Sequence, residues 1–202
     1  MAIADRAPGS LVELLDLAAA TFAGHGDRVR AEERWVRALA VARRDGLAGQ
    51  GRVLGALGGL YRDWGRLGKA LDAYLALVEV RRAVGDLAGV AAGLVEVGTT
   101  MHAAGRLGSA VAYFDRADEA MGQAAAGSAE HAGVLLWCGW ARWERGERGA
   151  ARRRWVRALA MLVDVDEAGA DRVRALLASG PDGDPGFPYA SNTASSPSGG
   201  VG

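Results

Sequence analysis

The side chains with chemical potential are few and far apart. The three histidines, His25, His102 and His131, have no second ligand at helical spacing, so the arrangement does not supply a metal site. Cys138 is the one cysteine of the chain. It can form no internal disulfide or thiolate cluster, and it reads as a small hydrophobe at an apolar position, not a nucleophile. The glycine-rich run GALGGL, residues 55–60, lacks the preceding strand and the Gly-Lys-Ser/Thr that would grip a phosphate. No acid–base pair or nucleophile pairing is visible, so the expectation is a non-enzyme without cofactor or metal. Two concentrations stand out instead. Trp137, Trp140 and Trp143 share one short segment, and Arg142, Arg145, Arg148, Arg152, Arg153, Arg154 and Arg157 follow with only Glu144 and Glu147 between them. Arg152, Arg153 and Arg154 fan over different faces of a helix, which suits a solvated surface better than a nucleic-acid stripe.

The composition agrees with a soluble core-forming chain. Of 202 residues half are apolar, and the formal net charge is zero; nothing global draws the chain to nucleic acid or an anionic membrane. Lys69 is the single lysine, the arginine bias a GC-rich genome would give. No apolar run is long enough to span a membrane, and MAIADRAPGS has no signal-peptide progression, so a reducing, cytoplasmic location is expected.

Whatever these residues do must be positioned by helices, since the apolar residues recur at offsets of three and four throughout. Ser10 with Glu13 is a capping-box signature that predicts a helix start near Leu11, with residues 1–9 disordered before it. A second helix is expected over Asp27 to Arg44 with Ala31, Trp35, Ala38 and Leu39 inward. The segment Leu54 to Leu77, LGALGGLYRDWGRLGKALDAYLAL, then predicts two amphipathic helices separated by a turn at Gly65. Asp45-Gly46, Gly85-Asp86 and Gly127-Ser128 each pair a helix-ending glycine with a residue able to cap or turn the chain. A last helix is expected over Glu167 to Ser179, covering the array with Val173, Leu176 and Leu177. The tail, 180–202, holds four of the five prolines and is expected to be disordered.

The chain repeats itself. Turn glycines Gly26, Gly65, Gly105 and Gly146 fall 39, 40 and 41 residues apart. Around each of the last three, a glycine (Gly58, Gly98, Gly139) precedes the turn and an alanine with an aromatic four residues later (Ala70 and Tyr74, Ala110 and Phe114, Ala151 and Trp155) follows it. The small residues let two antiparallel helices approach, and the aromatic fills the remaining space.

In Leu54, Leu57, Gly58, Tyr61, Ala70 and Tyr74 the chain resembles the tetratricopeptide repeat family over about Leu11 to Val163. It departs in a period near 40, in lacking the closing proline, and in placing Arg142 where an apolar residue is usual. The resemblance implies an all-α, right-handed superhelical solenoid of four hairpins, about 11–46, 48–85, 87–127 and 129–164, with a capping helix over 166–179. It also implies a concave groove lined by first helices. Carried onto this chain, the groove positions are Glu13, Asp16 and Ala20, then Arg52, Gly55, Gly59, Arg62 and Asp63, then Ala92, Val95, Thr99 and His102, then Gly133, Leu136, Trp140, Trp143 and Glu144. Trp140 and Trp143 are expected to be exposed there as a binding hot spot; the competing expectation is that Trp143 packs on the capping helix. The function implied is a protein- or peptide-binding scaffold. A regulatory sensor acting in trans on a bacterial transcriptional regulator or signalling ATPase is the alternative, and an enzyme with a helical substrate groove a third.

Overall fold

The structure, a computed structural model, describes residues 26–180 apart from 46, together with Ala19 and Thr21. The expected helix from Leu11, the terminal segments, Gly46 and the groove positions Glu13, Asp16 and Ala20 lie outside the described residues. Among those described there are eight helices and no strand: α1 Arg28–Asp45, α2 Leu47–Asp63, α3 Leu67–Ala83, α4 Leu87–Ala103, α5 Leu107–Ala125, α6 Ala129–Glu144, α7 Arg148–Leu162 and α8 Glu167–Ser179. The chain divides into two compact units, Met1–Ala126 with α1 to α5 and Gly127–Gly202 with α6 to α8. Within each unit every helix packs on its successor in sequence. The expected all-α hairpin order therefore holds, and α8 has the bounds expected of the last helix.

Each hairpin closes the same way because its turn needs a residue in the left-handed region. Gly65, Gly105 and Gly146 have φ of 68°, 72° and 79°, a conformation in which any Cβ is penalised. The backbone then makes the two bonds of a Schellman motif. At the first of these turns Gly65 N–H donates to the Arg62 carbonyl at 2.9 Å and Arg66 N–H to the Tyr61 carbonyl at 2.8 Å. The same pair of bonds recurs at Gly105 with Arg106 and at Gly146 with Glu147, and also between hairpins at Gly85 with Asp86. Glycine and its successor thus end the helices without the proline usual in the resembling family. Asp86, Ser128 and Asp166 then cap the following helices, their side-chain oxygens accepting from Gly89, His131 and Gly169 N–H.

Inside a hairpin the paired helices are keyed by a glycine facing an aromatic. A Cβ added at Gly58 would lie 2.5 Å from Tyr74 Cε1, one at Gly98 2.7 Å from Phe114 Cε1, and one at Gly139 2.5 Å from Trp155 Cδ1. Ordinary carbon contacts are about 3.5 to 4.0 Å, so only glycine fits. Tyr74, Phe114 and Trp155 are buried together with Ala70, Ala110 and Ala151, the alanines one turn earlier. Trp155 Nε1 donates to the Leu136 carbonyl at 3.4 Å, which satisfies the indole on the neighbouring backbone. In α1 the same inner face is formed by Ala31, Trp35, Ala38 and Ala42.

Arg142, the departure from the repeat pattern, is accommodated by its own helix. Its Nη1 donates to the Cys138 carbonyl at 3.2 Å, and its Nε lies 4.0 Å from Glu147. The stem lies along α6 while the charged head reaches the turn. Cys138 itself is fully buried, as expected of a small core hydrophobe.

Candidate functional site

In the larger unit the expected groove positions share contiguous faces of α2 and α4. On α2, Arg52 and Asp63 are exposed and Gly55, Gly59 and Arg62 half-buried. On α4, Ala92 is exposed, Val95, Glu96 and His102 are half-buried and Thr99 is buried. These faces therefore combine small residues, Gly55, Gly59 and Ala92, with the exposed charges Arg52 and Asp63. His131, in the other unit, is buried and accepts the Gly127 N–H at Nδ1 over 3.4 Å. Among the described residues no group of three His, Cys, Asp or Glu could hold a metal ion.

Arg62 is engaged within the fold. It forms an ion pair with Glu96 on α4, its Nη1 lies 3.4 Å from Thr99 Oγ1, and its guanidinium sits 5.7 Å from the centre of the Tyr74 ring. Burial works against the Arg62 charge, and the Glu96 carboxylate outweighs it, so the guanidinium stays protonated beyond its usual range. The Tyr74 phenol is pushed well above its ordinary pKa, first by burial and then by the negative charge of Glu96. Glu96 also uses its backbone, accepting from Thr99 Oγ1 at 2.9 Å and Thr100 Oγ1 at 2.8 Å. Sequence reasoning placed Arg62 among the groove residues and overlooked Glu96. The two are 34 residues apart, a separation that matches neither a helical turn nor the repeat of about 40, so the chain offered no signal for the pair.

A second polar cluster, also missed, joins α1 to the next hairpin. Glu32 accepts from Tyr61 Oη at 2.8 Å and Lys69 Nζ at 3.0 Å on one oxygen, and from Arg66 Nη1 at 3.2 Å on the other. Burial favours the neutral acid, but the bonds from Lys69 and Tyr61 and the charges of Lys69 and Arg66 prevail and hold Glu32 below its usual value. Tyr61 is pushed up to about 12, by burial and by its bond to Glu32. Lys69 and Arg66 also lie over the Tyr61 and Trp64 rings, at 4.9 and 4.8 Å. The indole nitrogen of Trp64 is buried and has no hydrogen-bond partner.

In the smaller unit the tryptophans distribute themselves differently from the expectation. Trp140 is buried, at 6 % exposure, so the exposed Trp140 and Trp143 pair does not exist. Trp137 and Trp143 are both part-exposed, and Trp137 meets Trp140 edge to face at 6.1 Å. Trp143 takes the packing role: its ring lies 5.5 Å from that of Trp155, Arg148 covers it at 4.6 Å, and a Cβ on Gly180, just past α8, would meet it. Leu136 is half-buried and Glu144 exposed. The residues expected to anchor a partner at this end therefore spend most of their apolar surface on their own unit.

The arginines sort into two groups. Arg148 covers Trp143, and Arg152 donates to the Leu177 carbonyl of α8 at 2.6 Å; both serve packing. Arg142, Arg153, Arg154 and Arg157, with Ala150, instead line one open cleft of about 390 Å³.

No family model matches the chain, and no curated protein matches it. Among solved structures 75 chains match. One of them is BtubC (BKLC) from P. vanneervenii, with a TM-score of 0.71 and 22 % identity over 83 % of this chain and 70 % of that one. At that identity the likeness is one of fold: a chain of packed helices.

Proposed function

We propose that the chain is a non-enzymatic, cytoplasmic binding module of the tetratricopeptide type, its hairpins belonging to one right-handed superhelical solenoid, which holds a protein or peptide segment on its first-helix face. The observation that carries this is the surface of small residues on α2 and α4. Gly55, Gly59, Ala92 and Val95 keep it low enough for another backbone to approach, and Arg52, Asp63 and His102 at its edge supply polar contacts that set direction. The Arg62 and Glu96 pair holds the two helices in register beneath the ligand, and Thr99 closes the floor. A helix or extended strand laid there would bury small apolar residues in its centre and meet charge at its rim, the usual anatomy of a peptide groove.

A photo-cross-linking amino acid placed at Ala92, which is exposed, should trap a partner in lysate of the source organism, whereas the same probe at exposed Asp72 on α3 should not. Equal yields from both positions, or none from Ala92, would overturn the proposal.

A further inference from the structure

The arginine cleft of α6 and α7 is not part of the first-helix surface of α2 and α4, and its chemistry is different. We propose that it binds a compact oligophosphate anion. Four arginines, Arg142, Arg153, Arg154 and Arg157, line a cleft of about 390 Å³ whose one other lining residue is Ala150. That volume lies at the lower end of the range typical of small-ligand sites. Helix α7 has five arginines and no acidic residue in its sequence RGAARRRWVRALAML, within a chain of zero formal net charge. The positive charge is thus concentrated locally and is not a property of the whole surface.

The spacing on α7 explains this arrangement. Ala150 and Arg154 are one turn apart, as are Arg153 and Arg157, so these four project from one side of the helix. The opposite side, with Ala151, Trp155, Ala158 and Leu162, is buried. Arg142 lines the same cleft from the end of α6, its guanidinium anchored by the Cys138 carbonyl. Ala150 keeps the floor open where a longer side chain would fill it.

Guanidinium groups present planar, paired donors that match phosphate oxygens and keep their charge at any physiological pH. Several of them around one cleft recognise an anion carrying several charges within a short length. A duplex or long single strand needs a continuous basic track, and here Arg148 and Arg152 are diverted onto Trp143 and the Leu177 carbonyl. The cleft lining also has no aromatic ring on which a base could stack. Dense phosphate charge without a base is the ligand chemistry that remains.

Titration calorimetry with inorganic tripolyphosphate tests this on the full chain. Saturable binding to one site is expected, with orthophosphate at least about tenfold weaker and affinity falling between about 50 and about 200 mM salt. The double variant Arg153→Gln, Arg157→Gln should lose roughly tenfold or more. The control Arg43→Gln, Arg44→Gln removes the same charge from the exposed end of α1 and should bind like wild type. Circular dichroism establishes that both variants are folded; if the cleft variant unfolds, Arg153→Lys alone serves, because it keeps the charge and should weaken binding by loss of the planar donor pair. Absence of binding, equal loss in the control, or tighter binding of a short single-stranded oligonucleotide than of tripolyphosphate would each overturn the proposal.

Discussion

Replacing Gly139 and Gly133 by alanine should move stability in opposite directions, although both glycines lie in α6. A Cβ at Gly139 would fall 2.5 Å from Trp155 Cδ1 and 2.8 Å from Cε2. Ordinary contact begins near about 3.5 Å, so α6 and the ring must part by about 1 Å. The ring has little freedom to yield: Trp155 is fully buried, and Trp143 lies 5.5 Å from it. Overpacking of this kind costs about 1 to 3 kcal/mol, and a fully enclosed indole places Gly139→Ala toward the upper figure. Removing a glycine from a helix interior returns about 1 kcal/mol, leaving a net loss of about 2 kcal/mol. At Gly133 a Cβ would meet nothing within 4 Å, so the propensity gain stands alone and the variant should be stabilised by up to about 1 kcal/mol. Urea unfolding followed by tryptophan fluorescence would show a midpoint lowered by on the order of 1 M for Gly139→Ala, given slopes of about 1 to 3 kcal/mol/M, and raised for Gly133→Ala. A Gly139→Ala midpoint at or above that of wild type would refute the glycine and aromatic keying of the hairpins.

Other expectations follow from the same contacts. Because Glu32 has a lowered folded pKa, its contribution to stability is fully present above the ordinary value of 4.5 and is lost as pH falls through the folded value. Glu32→Gln should thus be less stable than wild type at neutral pH, with the gap closing below pH 4.5 in urea titrations. Tyr61 has a raised folded pKa of about 12 against an ordinary 10.0; its contribution is present below 10.0 and lost as pH rises through about 12, so Tyr61→Phe should remove a late step from the ultraviolet titration of the native protein. Gly65→Ala meets nothing within 4 Å, and its cost of about 1 to 2 kcal/mol should come from the left-handed backbone alone, measurable by thermal unfolding. Trp140→Ala should destabilise by about 3 to 5 kcal/mol, whereas an exposed groove residue would have left the unfolding midpoint unchanged.

The repeat was legible in the sequence because its signals are local. A left-handed turn selects glycine within a single residue, a close helix crossing selects Gly58, Gly98 and Gly139, and an Asp or Ser after a glycine announces the next cap; each needs only neighbours along the chain. The bounds of α8 followed from the same kind of cue, with Asp166 before it and Gly180 after it. Burial among Trp137, Trp140 and Trp143 was not legible. Residues three apart rotate by about 60° relative to one another around a helix, so three such rings span more arc than one packed face. Which ring is covered depends on where the neighbouring helices lie. The structure puts Trp140 inside, sets Trp143 against Trp155, and leaves both Trp137 and Trp143 part-exposed.

The same division runs through the charges. Their positions in the chain established that arginines crowd α7 and that Glu32 and Glu96 lie on helices. Only the packing of α1 to α4 brought Glu32 to Tyr61, Arg66 and Lys69, and Arg62 to Glu96. Only the pairing of α6 with α7 separated the arginines that pack from those that line a cleft. Helix periodicity is written residue by residue, whereas an ion pair or a cavity exists between elements, where distance along the chain carries little information.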